Sequence, residues 1–250
     1  MTASLLGRRA LVAGGAGGIG LATARVLRDR GAALAILDRD PDAVRSAAAG
    51  IDAVPVVADV RDPALVGDAV NHASGELGGP VDLLVNAAGI YRVAPMVEMD
   101  IDQWEEVLGI NLRGSWLVAR EVARGLIAAA VPGSVINISS TAGLVADGTE
   151  PAAHYNASKA GVIAITKQMA VEWAPYGIRA NAVCPGVINT PMLRIMDDPD
   201  VGQRYLDDCV PLRRLGKPEE VGALIAFLAS DEASYVTGVA VPIDGGVTAI

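Results

Sequence analysis

Short apolar runs of strand length alternate along the chain with longer stretches in which apolar residues recur at helical spacing. The strand-length runs are Ala10–Ala13, Ala33–Leu37, Ala53–Val57, Val81–Val85, Ser134–Ile138, Arg179–Val183 and Val239–Ile243. Helices are predicted between them over Gly18–Arg30, Pro41–Ala49, Pro63–Leu77, Asp102–Ala130, His154–Pro175 and Pro218–Ala229. Runs such as LVA, LAILD, VDLLVN and VINIS are apolar on both faces, as parallel strands covered by helices on both sides must be. The alternation predicts an α/β chain with one parallel seven-stranded sheet and helices on both faces. No linker-like stretch or repeat interrupts it, so residues 1–250 read as one domain. Residues 188–216 break the rhythm: this stretch is Asp-rich and carries Met192, Leu193, Ile195, Met196, Tyr205 and Leu206. It reads either as a substrate lid or as an amphipathic surface helix pair.

Composition narrows the function classes. Hydrophobic residues make up 52% and charged residues 20%, which excludes a disordered chain. The net charge of −9 comes without a basic run, which argues against nucleic acid and against an anionic membrane surface as partners. Two cysteines and two histidines, scattered along the chain, offer no metal-ligand spacing and no disulfide framework. No metal is expected, and a reducing compartment fits. Arg8-Arg9 ahead of an uncharged run superficially resembles a twin-arginine export signal. Five glycines within Ala10–Ala24 read better as a strand entering a glycine turn, so a soluble, cytoplasmic protein is expected.

Four local patterns carry chemistry. GGAGGIG at 14–20 follows the first strand and opens a helix. There, glycines let the backbone approach a pyrophosphate while the helix N-terminus offers free N–H groups. Asp38 ends the second strand, 18 residues beyond Gly20; its carboxylate suits both hydroxyls of an adenosine ribose and would repel a 2′-phosphate, pointing to NAD. Arg39 beside it weakens that preference, and a solvated turn residue is the plain alternative. Tyr155 and Lys159 stand four apart on a predicted helix, on one face. An ammonium there favours the phenolate and would lower the Tyr155 pKa, making an acid/base for a carbonyl oxygen. Ser139-Ser140 end the fifth strand, where open α/β sheets bind ligands; one hydroxyl suits a substrate oxygen, and a turn cap is expected of the other.

With these residues in view, the chain resembles the short-chain dehydrogenase/reductase family over essentially its whole length. GGAGGIG (14–20), Asp59-Val60, NAAG (86–89), Asn111, ISS (138–140), YNASK (155–159), CPGVINTP (184–191), VTG (236–238) and DGG (244–246) carry the resemblance. It implies a single Rossmann-like doubly wound domain that is both dinucleotide-binding and catalytic. By the resemblance, Tyr155 is the general acid/base, Lys159 lowers its pKa and holds the nicotinamide ribose, and Ser140 positions the substrate oxygen. Asn111 kinks its helix and supports a proton-relay water. Gly14, Gly18, Ile19 and Gly20 wrap the pyrophosphate, and Asp38 takes the adenosine ribose. Asp59 and Val60 flank adenine, and Asn86 and Gly89 line the cofactor floor. Pro185, Gly186, Ile188 and Thr190 hold the nicotinamide end. A homotetramer is the implied assembly.

Two departures from the family pattern stand out. Ala13 occupies a place where the family usually has Thr, whose hydroxyl ties the turn to the NAAG strand. Ser140 and Tyr155 lie 15 apart, longer than the usual spacing; the extra residues fall in Val145–Ala153, which carries Asp147 and Glu150. A similar longer loop occurs in some sugar and polyol dehydrogenases of the family, and its acidic side chains either bind hydroxyls or are simply solvated. The leading expectation is an NAD-dependent oxidoreductase moving hydride between a small secondary alcohol, sugars and polyols favoured, and nicotinamide. A 3-oxoacyl-[acyl-carrier-protein] reductase is the nearest alternative. Asp38 opposes its usual NADP, and Tyr176 with the uncharged Ala128–Ser134 stands where its docking charge is expected. Reduction of hydroxysteroids or other bulky ketones is a third reading, given the adaptable Met-rich 192–196 segment. A non-catalytic dinucleotide-binding regulator is the remote one, since such a protein has no reason to keep Asn111, Ser140, Tyr155 and Lys159 together.

Overall fold

A computed structural model describes residues 4–146, 150–193 and 197–249. Asp147, Ile195 and Met196 therefore lie outside the described residues. Seven strands form one sheet: β1 (Arg9–Ala13), β2 (Ala33–Asp38), β3 (Val54–Val57), β4 (Leu83–Asn86), β5 (Gly133–Ile138), β6 (Ile178–Pro185) and β7 (Ala240–Ile243). Their order is β3-β2-β1-β4-β5-β6-β7 and every pairing is parallel. The direction of winding reverses between β1 and β4, which opens a crevice at their C-terminal ends.

Alternate side chains of the strands enter two cores. Leu11, Ala13, Ala35 and Leu37 pack beneath α3 (Pro63–Glu76), α5 (Ser115–Ala129) and α6 (Ala153–Trp173). Ala10, Val12, Leu34 and Ile36 face α1 (Gly18–Asp29), α2 (Pro41–Ala49) and α8 (Pro218–Ala229). The two-faced burial that the apolar runs imply is thus met by helices on both sides. On the second face α1 and α8 lie close enough that a Cβ on Gly222 would come within 3.2 Å of the Thr23 backbone.

Capping chemistry sets where several helices begin. Asp40, Asp62 and Asp198 each precede a proline and accept hydrogen bonds from the first free N–H groups of α2, α3 and α7 (Pro199–Cys209). Asp100 does the same for α4 (Ile101–Leu108). The long helix expected over 102–130 is divided: a π-helical turn, Gly109–Gly114, joins α4 to α5. Within 188–216, the described residues contain α7, which buries Gly202 and Leu206 and exposes its acidic side. Arg8 and Arg9 clamp Asp82 at 2.7 and 3.0 Å, tying the start of β1 to the residue before β4. Among the described residues no helix is long and apolar enough to cross a membrane.

Candidate active site

The glycine turn follows directly from the sheet register. Ala13 lies opposite Asn86, and the Ala87 N–H donates to the Ala13 carbonyl at 2.8 Å. That backbone bond ties the turn to the NAAG strand, so no hydroxyl at position 13 is needed for the contact. Gly14 has φ +75, and a Cβ there would sit 2.5 Å from the Ala88 nitrogen. A Cβ on Gly20 would collide with the Gly14 carbonyl oxygen. Glycine is therefore forced at both places, by approach as much as by φ.

The start of α1 differs from the Asp-capped helices. Its N-cap, Gly17, makes no side-chain bond, and no acidic residue lies in its first turn. Uncapped N–H groups at a positive dipole end, facing a crevice, suit a pyrophosphate. On this observation the residues present fit a dinucleotide.

The crevice is a cleft of about 530 Å³. Gly14, Gly18, Ile19 and Gly20 form its near wall, with Thr190 across from Gly18. Asp38, Asp59 and Val60 lie at one end, together with Arg39. Asp38 is aimed by backbone amides: Oδ1 accepts from Arg39 at 2.8 Å and Asp40 at 3.4 Å, and Oδ2 from Ala16 at 3.4 Å. The Arg61 guanidinium grips both oxygens of Asp59 at 2.6 to 3.1 Å and holds that carboxyl below its usual range. Ser140, Tyr155, Lys159, Pro185, Gly186 and Ile188 line the rest, with Gly89 in the floor. Asn86 is a correction: its side chain lies beneath the floor, not in it. It is buried and donates to the Ser115 carbonyl and to Asn137 Oδ1, joining β4 to β5.

Asn111 also stays below the cleft surface, but it braces what lies above. The π-helical turn carries it; its Oδ1 accepts from Ile90 N–H at 2.8 Å and its Nδ2 donates to the Ile90 carbonyl at 3.0 Å. The same Nδ2 reaches Ser158 Oγ at 3.1 Å, and Ser158 in turn donates to the Tyr155 carbonyl at 2.7 Å. One side chain thus couples the exit of β4 to the turn of α6 that bears Tyr155.

Lys159 is 5% exposed, and its ammonium donates to the Ile138 carbonyl at 2.9 Å while lying 5.6 Å from the Tyr155 ring centre. Burial lowers its pKa to about 8. The expected lowering of Tyr155 is not what the geometry gives. Burial raises the phenol, and the hydrogen bond from Ser140 only partly opposes it. Desolvation of the phenolate wins because the ammonium is turned toward a carbonyl and is itself desolvated. Both serines are also structural: Ser140 Oγ caps the turn Thr141–Gly143 by accepting from Ala142 N–H at 3.1 Å, and Ser139 Oγ donates to the Lys159 carbonyl at 2.8 Å.

Sequence reasoning missed three neighbours. The Tyr91 ring meets Tyr155 edge-on, with centres 4.8 Å apart, and its hydroxyl donates to Glu150. Arg61 fixes Asp59. His154, fully buried beside Tyr155, has a pKa lowered by burial. The signal for Tyr91 was its position just past NAAG, at the C-terminal end of a strand that borders the crevice.

A family model described as enoyl-(acyl carrier protein) reductase matches residues 14–248. Oxidoreductase UcpA of Escherichia coli O157:H7 is 42% identical, over 98% of this chain and 95% of its own length. A 3-oxoacyl-[acyl-carrier-protein] reductase of Thermotoga maritima is 40% identical over 97% and 98%. A galactitol 2-dehydrogenase (L-tagatose-forming) of Cereibacter sphaeroides is 37% identical over 97% and 95%. Among solved structures, a gluconate 5-dehydrogenase from Burkholderia cenocepacia, in complex with NADP and tartrate, superposes with a TM-score of 0.92. That protein is 37% identical, and the match covers 99% of this chain and 97% of its own.

Proposed function

The chain belongs to the short-chain dehydrogenase/reductase family, whose members bind a nicotinamide cofactor, and from that premise we propose that it is an NAD-dependent dehydrogenase of secondary alcohols, sugars and polyols before others. The observation that carries the reading is the pairing of Tyr155, Ser140 and Lys159 at one end of a cleft with Asp38 at the other. In the proposed assignment, Gly14, Gly18, Ile19 and Gly20 take the pyrophosphate, and Asp38 the adenosine ribose. Asp59 and Val60 border adenine. Gly89, Pro185, Gly186, Ile188 and Thr190 hold the nicotinamide half. The 250 residues act as one domain, with 188–216 covering the substrate.

A bound nicotinamide supplies the acceptor or donor of a hydride. The chain's own residues handle the proton. Ser140 donates to the substrate oxygen and orients it. Tyr155 Oη takes the hydroxyl proton as an alcohol becomes a carbonyl, and returns it in the opposite direction. Lys159, held by the Ile138 carbonyl, keeps a positive charge near that oxygen below about pH 8. Asn111 positions Tyr155 through Ser158 and supports a relay water.

The acyl-carrier reading has a relative in its favour, the Thermotoga maritima reductase. Against it stands the Asp38 carboxylate, pinned by three amides where a 2′-phosphate would have to sit. We further propose a cytoplasmic homotetramer acting on a small molecule, with no nucleic-acid or membrane partner. The test is formation of reduced cofactor from NAD and from NADP over polyols, sugars, hydroxysteroids and simple secondary alcohols. Turnover with NAD and a polyol is expected. Turnover with NADP alone would overturn the Asp38 assignment and favour the acyl-carrier reading.

A further inference from the structure

The loop between Ser140 and Tyr155 is longer than the family usually has, and one described residue of it, Glu150, reaches the cleft wall. Glu150 is half-buried, and its Oε2 accepts the Tyr91 hydroxyl. Tyr91 in turn lies edge-on against Tyr155. The backbone that presents Tyr91 is not free to drift, because Asn111 clamps both the N–H and the carbonyl of the preceding residue, Ile90. A continuous set of contacts therefore fixes a carboxylate relative to the phenol proposed to move the proton.

Two charges border this end of the cleft. Among the described residues lining it, Glu150 and Lys159 are the only charged ones there, and Lys159 is turned to the Ile138 carbonyl. Arg39 lies at the opposite end, beside Asp38. The lining also includes the apolar Val187, Met192, Leu193 and Val247. An ionised carboxylate only accepts hydrogen bonds. Such a wall suits a molecule with hydroxyl donors on one side and C–H groups on the other. Glu150 disfavours a carboxylate placed beside it.

We propose that Glu150, oriented by Tyr91, is the specificity-determining residue of this site: it accepts a hydroxyl next to the reacting carbon, and it selects neutral polyhydroxylated substrates over their acid counterparts. This rests on the hydride-transfer reading above, whose substrate class it narrows. It also separates this chain from the gluconate dehydrogenase that it resembles in fold, because an aldonate would bring a second negative charge against Glu150.

The experiment compares galactitol, D-gluconate and cyclohexanol, with NAD, on the wild-type chain and on Glu150→Ala and Glu150→Gln. The wild type should prefer galactitol to gluconate. Glu150→Ala should lower the kcat/KM of galactitol relative to that of cyclohexanol at least tenfold, mostly through KM, as loss of one hydrogen bond to a charged acceptor implies. Glu150→Gln keeps an acceptor but removes the charge, so it should raise gluconate relative to galactitol. Calorimetric titration of galactitol into the NAD-loaded protein gives a readout that needs no chemistry. Glu150-dependent binding without turnover of any alcohol would sink the hydride-transfer reading alone. Turnover of cyclohexanol with a galactitol-to-cyclohexanol ratio unmoved by Glu150→Ala would sink this proposal alone. A wild type that prefers gluconate, or a cleft that binds no galactitol, overturns it as well.

Discussion

Lys159 shows how a functional side chain weakens the fold that holds it. Its pKa of about 8, against an ordinary 10.5, means that the unfolded chain binds the proton more tightly. The group therefore destabilises the folded state below pH 8, and the deficit fades as pH rises toward 10.5. At about 1.4 kcal/mol per pH unit this amounts to about 3 kcal/mol at pH 7. Lys159→Met also loses the bond to Ile138, worth about 1 kcal/mol. The variant should be more stable than wild type by about 2 kcal/mol at pH 7 and show no gain near pH 10, while losing turnover. Chemical denaturation at the two pH values checks this; equal stabilities at both would mean that burial does not depress the lysine. The Tyr155–Lys159 pair was legible in the sequence because four-residue spacing fixes a common helix face. The direction of the Tyr155 shift was not, because spacing says nothing of how much water each group loses. The position of Tyr91 just past NAAG was legible, but its partners were not, since they come from 59 and 64 residues away in the chain.

At the scale of elements, the strands were readable because burial on both faces leaves few polar positions, and the Asp-Pro pairs at 40–41, 62–63 and 198–199 mark helix starts. The last of these starts α7 inside a stretch that read either as a lid or as a surface helix pair. The π-helical turn was marked only by the resemblance, which implies a kink at Asn111; the apolar pattern over 102–130 did not divide the helix there. The arginine pair at 8–9 illustrates the reverse case, a motif whose role is tertiary. Both guanidiniums meet Asp82, which is 5% exposed, at the edge where β1 joins β4. Asp82→Ala leaves two half-buried charges without their carboxylate. We expect a loss of about 2–3 kcal/mol in urea denaturation with an unchanged slope. A loss under 0.5 kcal/mol would show that solvent replaces the clamp.

For the whole molecule, the parallel sheet and its two cores follow from the alternation of strands and helices, whereas the doubly wound strand order was implied by the resemblance alone. Assembly could not be. Trp116 and Ile127 on α5, Val171 on α6 and Tyr176 after it remain exposed in the single chain. A homotetramer that covers such residues should give a four-chain mass by light scattering at micromolar concentration; a monomer mass would remove that proposal. The net charge of −9 favours repulsion between separate assemblies. We propose that this cleft holds NAD and that Tyr155 moves the proton, and NAD binding and polyol turnover of Tyr155→Phe beside wild type test both. NAD affinity should stay within a few-fold of wild type and turnover should fall at least a thousandfold. Turnover within tenfold of wild type would contradict it, because the proton would then be leaving by another group.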